Sequence, residues 1–206
     1  DSHSKKINDR THLDVSIEKS IDSLLKYKDK ISNRVYDVMK ANYIGKNEID
    51  WCNEFRFFWI YEVVKKENGD IRDTGISVIN NRFGKKYDLP KEALLNSLYY
   101  LSMLVERARL ESLIAQKDDN NTFISLKKNS SIGIREKLVT IFFLNHYSFM
   151  ESKLANKMLD DFLAELKNMS YANSLRGMSL TLEKGSRAFE FSLNDSNRKP
   201  VKLSDF

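Results

Sequence analysis

WCNEFRFFWIYEVV, residues 51–64, holds both tryptophans of the chain, three phenylalanines and a tyrosine within its first eleven positions. At about 100° per residue, Trp51, Phe55, Phe58 and Glu62 share one face, Phe57 and Tyr61 lie beside it, and Trp59, Ile60 and Val63 cover much of the rest. A helix apolar on nearly every side must be enclosed by others. The segment therefore predicts a helical core, with the apolar run Leu138–Met150 (LVTIFFLNHYSFM) as its expected companion.

On the N-terminal side, Thr11 and Asp14 have the spacing of a capping box and predict a helix that runs to about Tyr43, before Gly45. Its apolar positions Ile17, Ile21, Leu24, Ile31, Val35 and Val38 form a narrow seam that Lys28 interrupts. Asn47 and Asp50 repeat the box and are expected to open the aromatic helix, which closes near Asn68-Gly69. Residues 68–75 read as a turn, 76–83 as a short amphipathic helix closed by Gly84, and Pro90 as the start of one long helix to about Gln116.

The polar stretch 117–130 reads as a loop or short strand around Phe123, Ile124 and Leu126. Helices follow over about 131–145 and 151–168, the second with a capping box from Ser148 and Glu151 and a core face of Leu154, Met158, Leu159, Phe162, Leu163 and Leu166. Gly177 is expected to stop helical extension. Beyond it the period changes from 3.6 to 2: Leu180 and Leu182, a turn at Gly185, then Phe189, Phe191 and Leu193 spell a β-hairpin.

The fold class expected is mainly α: a single-domain bundle of about six helices over 11–177 with a C-terminal β-hairpin over 178–193. Residues 1–10 and 194–206 read as flexible ends. With 206 residues, 41% of them hydrophobic and 31% charged, the chain has an ordinary globular balance and needs no covalent staples. Cys52 is the single cysteine, so no internal disulfide forms, and its place in the aromatic segment makes it a small core residue in a reducing compartment. The start DSHSKKINDR shows no apolar stretch after its charges, and the longest apolar run is too short for a bilayer, so a cytoplasmic location and no membrane partner are expected.

Chemistry is sparsely signalled. No phosphate-binding glycine loop, nucleophile elbow or metal-ligand spacing occurs, and no cofactor or metal is expected. His146, at the end of an apolar helix, is one catalytic candidate, a general base near neutral pH whose competing role is to cap helix carbonyls. Glu62 is the other: a carboxylate drawn inward among aromatics needs a cation or hydrogen-bond donor, and a structural ion pair is the competing role. These features weigh against an enzyme.

The net charge of +5 is dispersed among acidic residues rather than gathered in a block. The segment 74–101 has the ingredients of a helix-turn-helix, with Arg82, Lys85, Lys86 and Lys91 as phosphate contacts and Asn80 and Asn81 as base readers. Its second helix is too apolar to lie open in a groove. The leading expectation is a helical protein-interaction or regulatory module, binding another protein or itself through the 11–44 helix or the 178–193 hairpin. Binding of DNA or RNA by the 74–101 region is the first alternative, and an enzyme using His146 as acid or base the second.

Overall fold

The computed structural model describes residues 11–66, 69–85, 87–128, 132–182, 192–194 and 200–202. The ends read as flexible lie outside the described residues over 1–10, 195–199 and 203–206, as does Lys86. Two compact units divide between Phe142 and Phe143. Among the described residues the chain is mainly helical, with nine α-helices.

The first unit opens with α1 (Thr11–Leu25), a 3-10 turn at Lys28–Lys30 and α2 (Asn33–Phe58), which runs on as a π-helix over Trp59–Val64. The single helix expected over 11–43 is thus two. Lys28 marks the break: it sits in the turn with its ammonium over the Tyr36 ring, and extended Ser32 starts the next helix by accepting a hydrogen bond from Val35 N at 3.3 Å.

Gly45 does not end a helix; α2 passes straight through it. A Cβ there would lie 2.4 Å from Tyr100 N, so glycine stands where the backbone of α5 (Leu98–Ile114) crosses. Asn47 and Asp50 are accordingly mid-helix and open nothing. In the π-helix Lys65 N donates to Ile60 O at 3.0 Å, five residues back.

α3 (Gly69–Phe83) replaces the turn read over 68–75, and Gly84 follows it as expected. Gly75 lies inside α3 because Trp59 occupies the space its side chain would need: a Cβ would be 2.9 Å from the indole Cζ3. Pro90 precedes α4 (Lys91–Asn96), but the helix stops at Ser97. Ser97 is fully buried, accepts from Tyr100 N at 3.0 Å to cap α5, and donates to Asn42 Oδ1 of α2 at 2.7 Å.

The stretch expected as a loop is α6 (Asp119–Lys128), nucleated by Asp118, whose carboxylate accepts from Asn121 N at 3.1 Å. Thr122, Phe123 and Leu126 face inward from it. α7 (Ile132–His146) matches the expected helix and crosses the division between units; on its first-unit part Lys137 Nζ donates to Leu95 O at 2.7 Å.

The core around the aromatic segment comprises Trp51, Cys52, Phe55, Trp59 and Val63 with Ile79 of α3 and Leu110 of α5. Trp51, Phe55 and Trp59 form a column at spacings of four, with ring centroids 5.0 and 6.2 Å apart. Each such burial contributes about 1.5–3 kcal/mol. The companions of the segment are α3 and α5; the run Leu138–Met150 supplies none of this cluster.

In the second unit a 3-10 turn at Tyr147–Phe149 leads to α8 (Ser152–Glu165) and then α9 (Met169–Leu182). Glu151 precedes α8 without a side-chain cap, so the box expected from Ser148 is not formed. Met158, Leu159 and Phe162 are buried as expected, and Phe162 stacks on Phe143 at 6.1 Å. Tyr147 donates its hydroxyl hydrogen to Asn156 Oδ1. α9 continues through Gly177 to Leu182, so residues 178–182 of the expected hairpin are helical. Its residues 183–191 lie outside the described residues, and an antiparallel pair joins β1 (Ser192–Asn194) to β2 (Pro200–Lys202), with Leu193 opposite Val201.

Candidate interaction surface

α2 buries one face and leaves the opposite one open along its whole length. Ala41, Ile44, Glu48, Trp51, Cys52 and Phe55 are inside, and the series continues with Trp59 and Val63. On the outer side Val35, Met39, Tyr43, Lys46, Asp50, Glu54, Phe57, Tyr61 and Val64 follow one another at spacings of three or four, which keeps them on a single stripe. All are exposed except Glu54, which is half-buried. Phe57 is 67% and Tyr61 54% exposed, far above what a core aromatic shows. The aromatic segment is therefore not enclosed as its sequence suggested.

The stripe is patterned. Val35, Met39 and Tyr43 make one apolar cluster, Phe57, Tyr61 and Val64 make another, and Lys46, Asp50 and Glu54 lie between them. Single exposed apolar residues need no explanation, whereas aligned clusters on a rigid helix mark a surface for a partner. Lys65 reaches over the Tyr61 ring at 4.2 Å and leaves the ring exposed.

Behind the stripe an ionic network fixes α2. Glu48, completely buried, accepts at Oε1 from Arg82 Nε of α3 and from the Tyr87 hydroxyl, both at 2.8 Å, and at Oε2 from Arg107 Nη2 of α5, also at 2.8 Å. The guanidinium of Arg82 lies over the Trp51 ring at 5.2 Å and that of Arg107 over Phe83 at 4.7 Å. One carboxylate thus ties three segments together. A second cluster joins Arg56 and Arg109 to Glu106, and Arg109 to Asp119 of α6 at 3.7 Å.

Electrostatics make these groups structural. Burial, reinforced by the Glu48 charge, raises the Tyr87 phenol above its ordinary range. The same two causes in the same order push the Cys52 thiol up to about 12, so the one cysteine stays protonated at neutral pH and is not a nucleophile.

The residues singled out from sequence fare differently. Glu62 is half-buried at the rim of the π-helix and pairs with Lys66 Nζ at 2.7 Å, which is the ion-pair role. His146 is buried in the last turn of α7, in the second unit. Asn80, Asn81, Lys85 and Lys91 are exposed, but Arg82 is turned inward onto Glu48 and is not presented to phosphates. Lys86 lies outside the described residues. The expected recognition helix is interrupted at Ser97 after six residues.

An open cleft of about 450 Å³ lies between α5 and α6, lined by Glu111, Ser112, Lys117, Asn121, Ser125 and Lys128 among others. Burial raises the Glu111 carboxyl above its usual range, with Arg107 opposing. His146 and Glu62 do not line it. Among the described residues no cluster of His, Cys, Asp or Glu is placed to hold a metal, and no helix is long and apolar enough to cross a membrane.

No family model, curated protein or solved structure matches this chain. Its function is therefore read from its own surface. The outer stripe of α2 escaped sequence reasoning because the helix was divided at Gly45, which put Val35–Tyr43 and Phe57–Val64 on different elements. Treating Gly45 as a crossing point would have aligned them.

Proposed function

We propose that the protein is a helical protein-interaction module that self-associates through the outer face of α2. The observation that carries the reading is the stripe itself: two exposed apolar clusters on one rigid helix, separated by a centre that holds both signs of charge. A face of this kind is self-complementary, because turning it end for end sets apolar cluster on apolar cluster and cation near anion. Closed two-fold dimers use such isologous patches.

Size supports it as well. From Val35 to Val64 the face is about 45 Å long at 1.5 Å per residue, the length scale of a standard interface of about 800 Å² per partner. The ionic network behind the helix holds the face rigid, so association orders few additional groups.

Sedimentation velocity over about 1–200 µM tests the reading, a span that covers ordinary affinities. A concentration-dependent dimer is expected for the native chain, and a monomer for the double variant Phe57→Glu, Tyr61→Glu. A native chain that stays monomeric throughout, or a dimer indifferent to the double variant, overturns it.

A further inference from the structure

We infer that the two copies pack antiparallel along α2 with the two-fold axis at Asp50, so that positions equally distant on either side of it face one another. This rests on the self-association proposed above and adds its register. With the axis there, Tyr43 meets Phe57 of the second copy and Met39 meets Tyr61, in both directions, and Val35 falls one position from Val64, beside Lys65. Lys46 meets Glu54, giving two opposite-charge contacts, and only Asp50 meets its own copy.

Other arrangements satisfy the pattern less well. Parallel packing stacks Lys46 on Lys46, Asp50 on Asp50 and Glu54 on Glu54, three like-charge layers in a row. Moving the antiparallel axis by half a turn brings Lys46 onto Asp50, but sets Tyr43 against polar Asn53, one position from Glu54, and carries Val64 past the start of α2 to Ser32. Moving it by a full turn in either direction puts Lys46 or Asp50 against an aromatic ring. Unpaired charge on an apolar surface is disfavoured at an interface core. The one unfavourable contact that remains, Asp50 on Asp50, gives the arrangement a distinctive signature.

Cysteine cross-linking of the full chain reads the register, since a disulfide needs Cα atoms within about 7 Å. The native Cys52 is fully buried and stays silent. Under mild oxidation Asp50→Cys is expected to cross-link to itself, Lys46→Cys not to itself but to Glu54→Cys on a mixed chain. Asp50→Asn is expected to tighten the dimer several-fold, since it removes a like-charge contact while keeping side-chain volume. Self-linking of Lys46→Cys overturns the antiparallel register, and linking of Lys46→Cys to Asp50→Cys without self-linking of Asp50→Cys overturns the position of the axis. In both cases self-association through α2 stands. A chain that is dimeric by sedimentation but links at none of these positions overturns both the register and the α2 interface, and a monomeric chain overturns self-association itself.

Discussion

A Cβ on Gly45 would lie 2.4 Å from the backbone nitrogen of Tyr100, a separation that no packed side chain adopts. The contact is backbone on backbone, so neither helix can yield by turning a rotamer. Ser97 reinforces it, holding the start of α5 to Asn42, three residues before the glycine.

Gly45→Ala should therefore destabilise the fold although alanine is the better helix former. Propensity returns about 1 kcal/mol, and forcing α2 away from α5 costs more than that, so a net loss of about 2–4 kcal/mol is expected in urea unfolding. Gly133, in α7 with nothing near its Cβ position, is the control. Gly133→Ala should be neutral or stabilising by up to about 1 kcal/mol. Equal effects at the two sites would show that the crossing is not tight.

The same glycine explains what could be read from the sequence and what could not. Helical class, the burial of Trp51 and Phe55, α7, and the buried face of α8 followed from apolar patterning, which records local burial, whereas the continuation of their ring column through Trp59 rather than Phe58 did not. Gly45 and Gly75 were read as punctuation because a glycine looks alike whether it ends a helix or admits a neighbouring backbone or indole. Ser97 has the opposite history: its capping role needs Asn42 and Tyr100, and nothing in the helical pattern from Pro90 onward advertises a break there. Glu48, Arg82 and Arg107 lie on three different elements, and no spacing rule joins charges so far apart in the chain. The charge of Arg82 was legible; its direction was not.

Glu48→Ala should be among the most damaging single changes, because it leaves two largely buried guanidinium groups without their shared carboxylate. Breaking one side of a buried pair costs about 3–5 kcal/mol, to be read as a shift of the denaturation midpoint. Arg34→Ala removes an exposed pair with Glu92, 3.0 Å apart, and should change stability by less than about 0.5 kcal/mol. A mild Glu48→Ala would mean that water reaches the network and replaces the lost partner.

Substituting the stripe should separate assembly from folding. Phe57 and Tyr61 are more than half exposed, so Phe57→Ser and Tyr61→Ser remove little buried area and should leave the unfolding midpoint within about 0.5 kcal/mol of the native chain when both are measured dilute. Trp59→Ser, at the first position of the π-helix and 2% exposed, should unfold the first unit instead. Comparable losses at Phe57 and Trp59 would show that the stripe is covered in the folded chain.

Alkaline pH offers a test of the buried thiol. Folding raises the Cys52 pKa from an ordinary 9.0 to about 12, with burial as the main cause. Between those values the unfolded chain has lost the proton that the folded chain keeps, so the unfolded state binds fewer protons and is increasingly favoured as pH rises. The contribution is intact below about pH 9 and falls above it, by up to about 1.4 kcal/mol per pH unit. Tyr87, also raised by burial and by Glu48, adds a loss of the same sign that begins above its ordinary 10.0. Urea unfolding at about pH 8, 9, 10 and 10.5 should show this decline, and Cys52→Ala, though less stable at every pH, should show a shallower slope from about pH 9 to 10. Parallel slopes for the two chains would mean that the thiol ionises as readily in the fold as outside it.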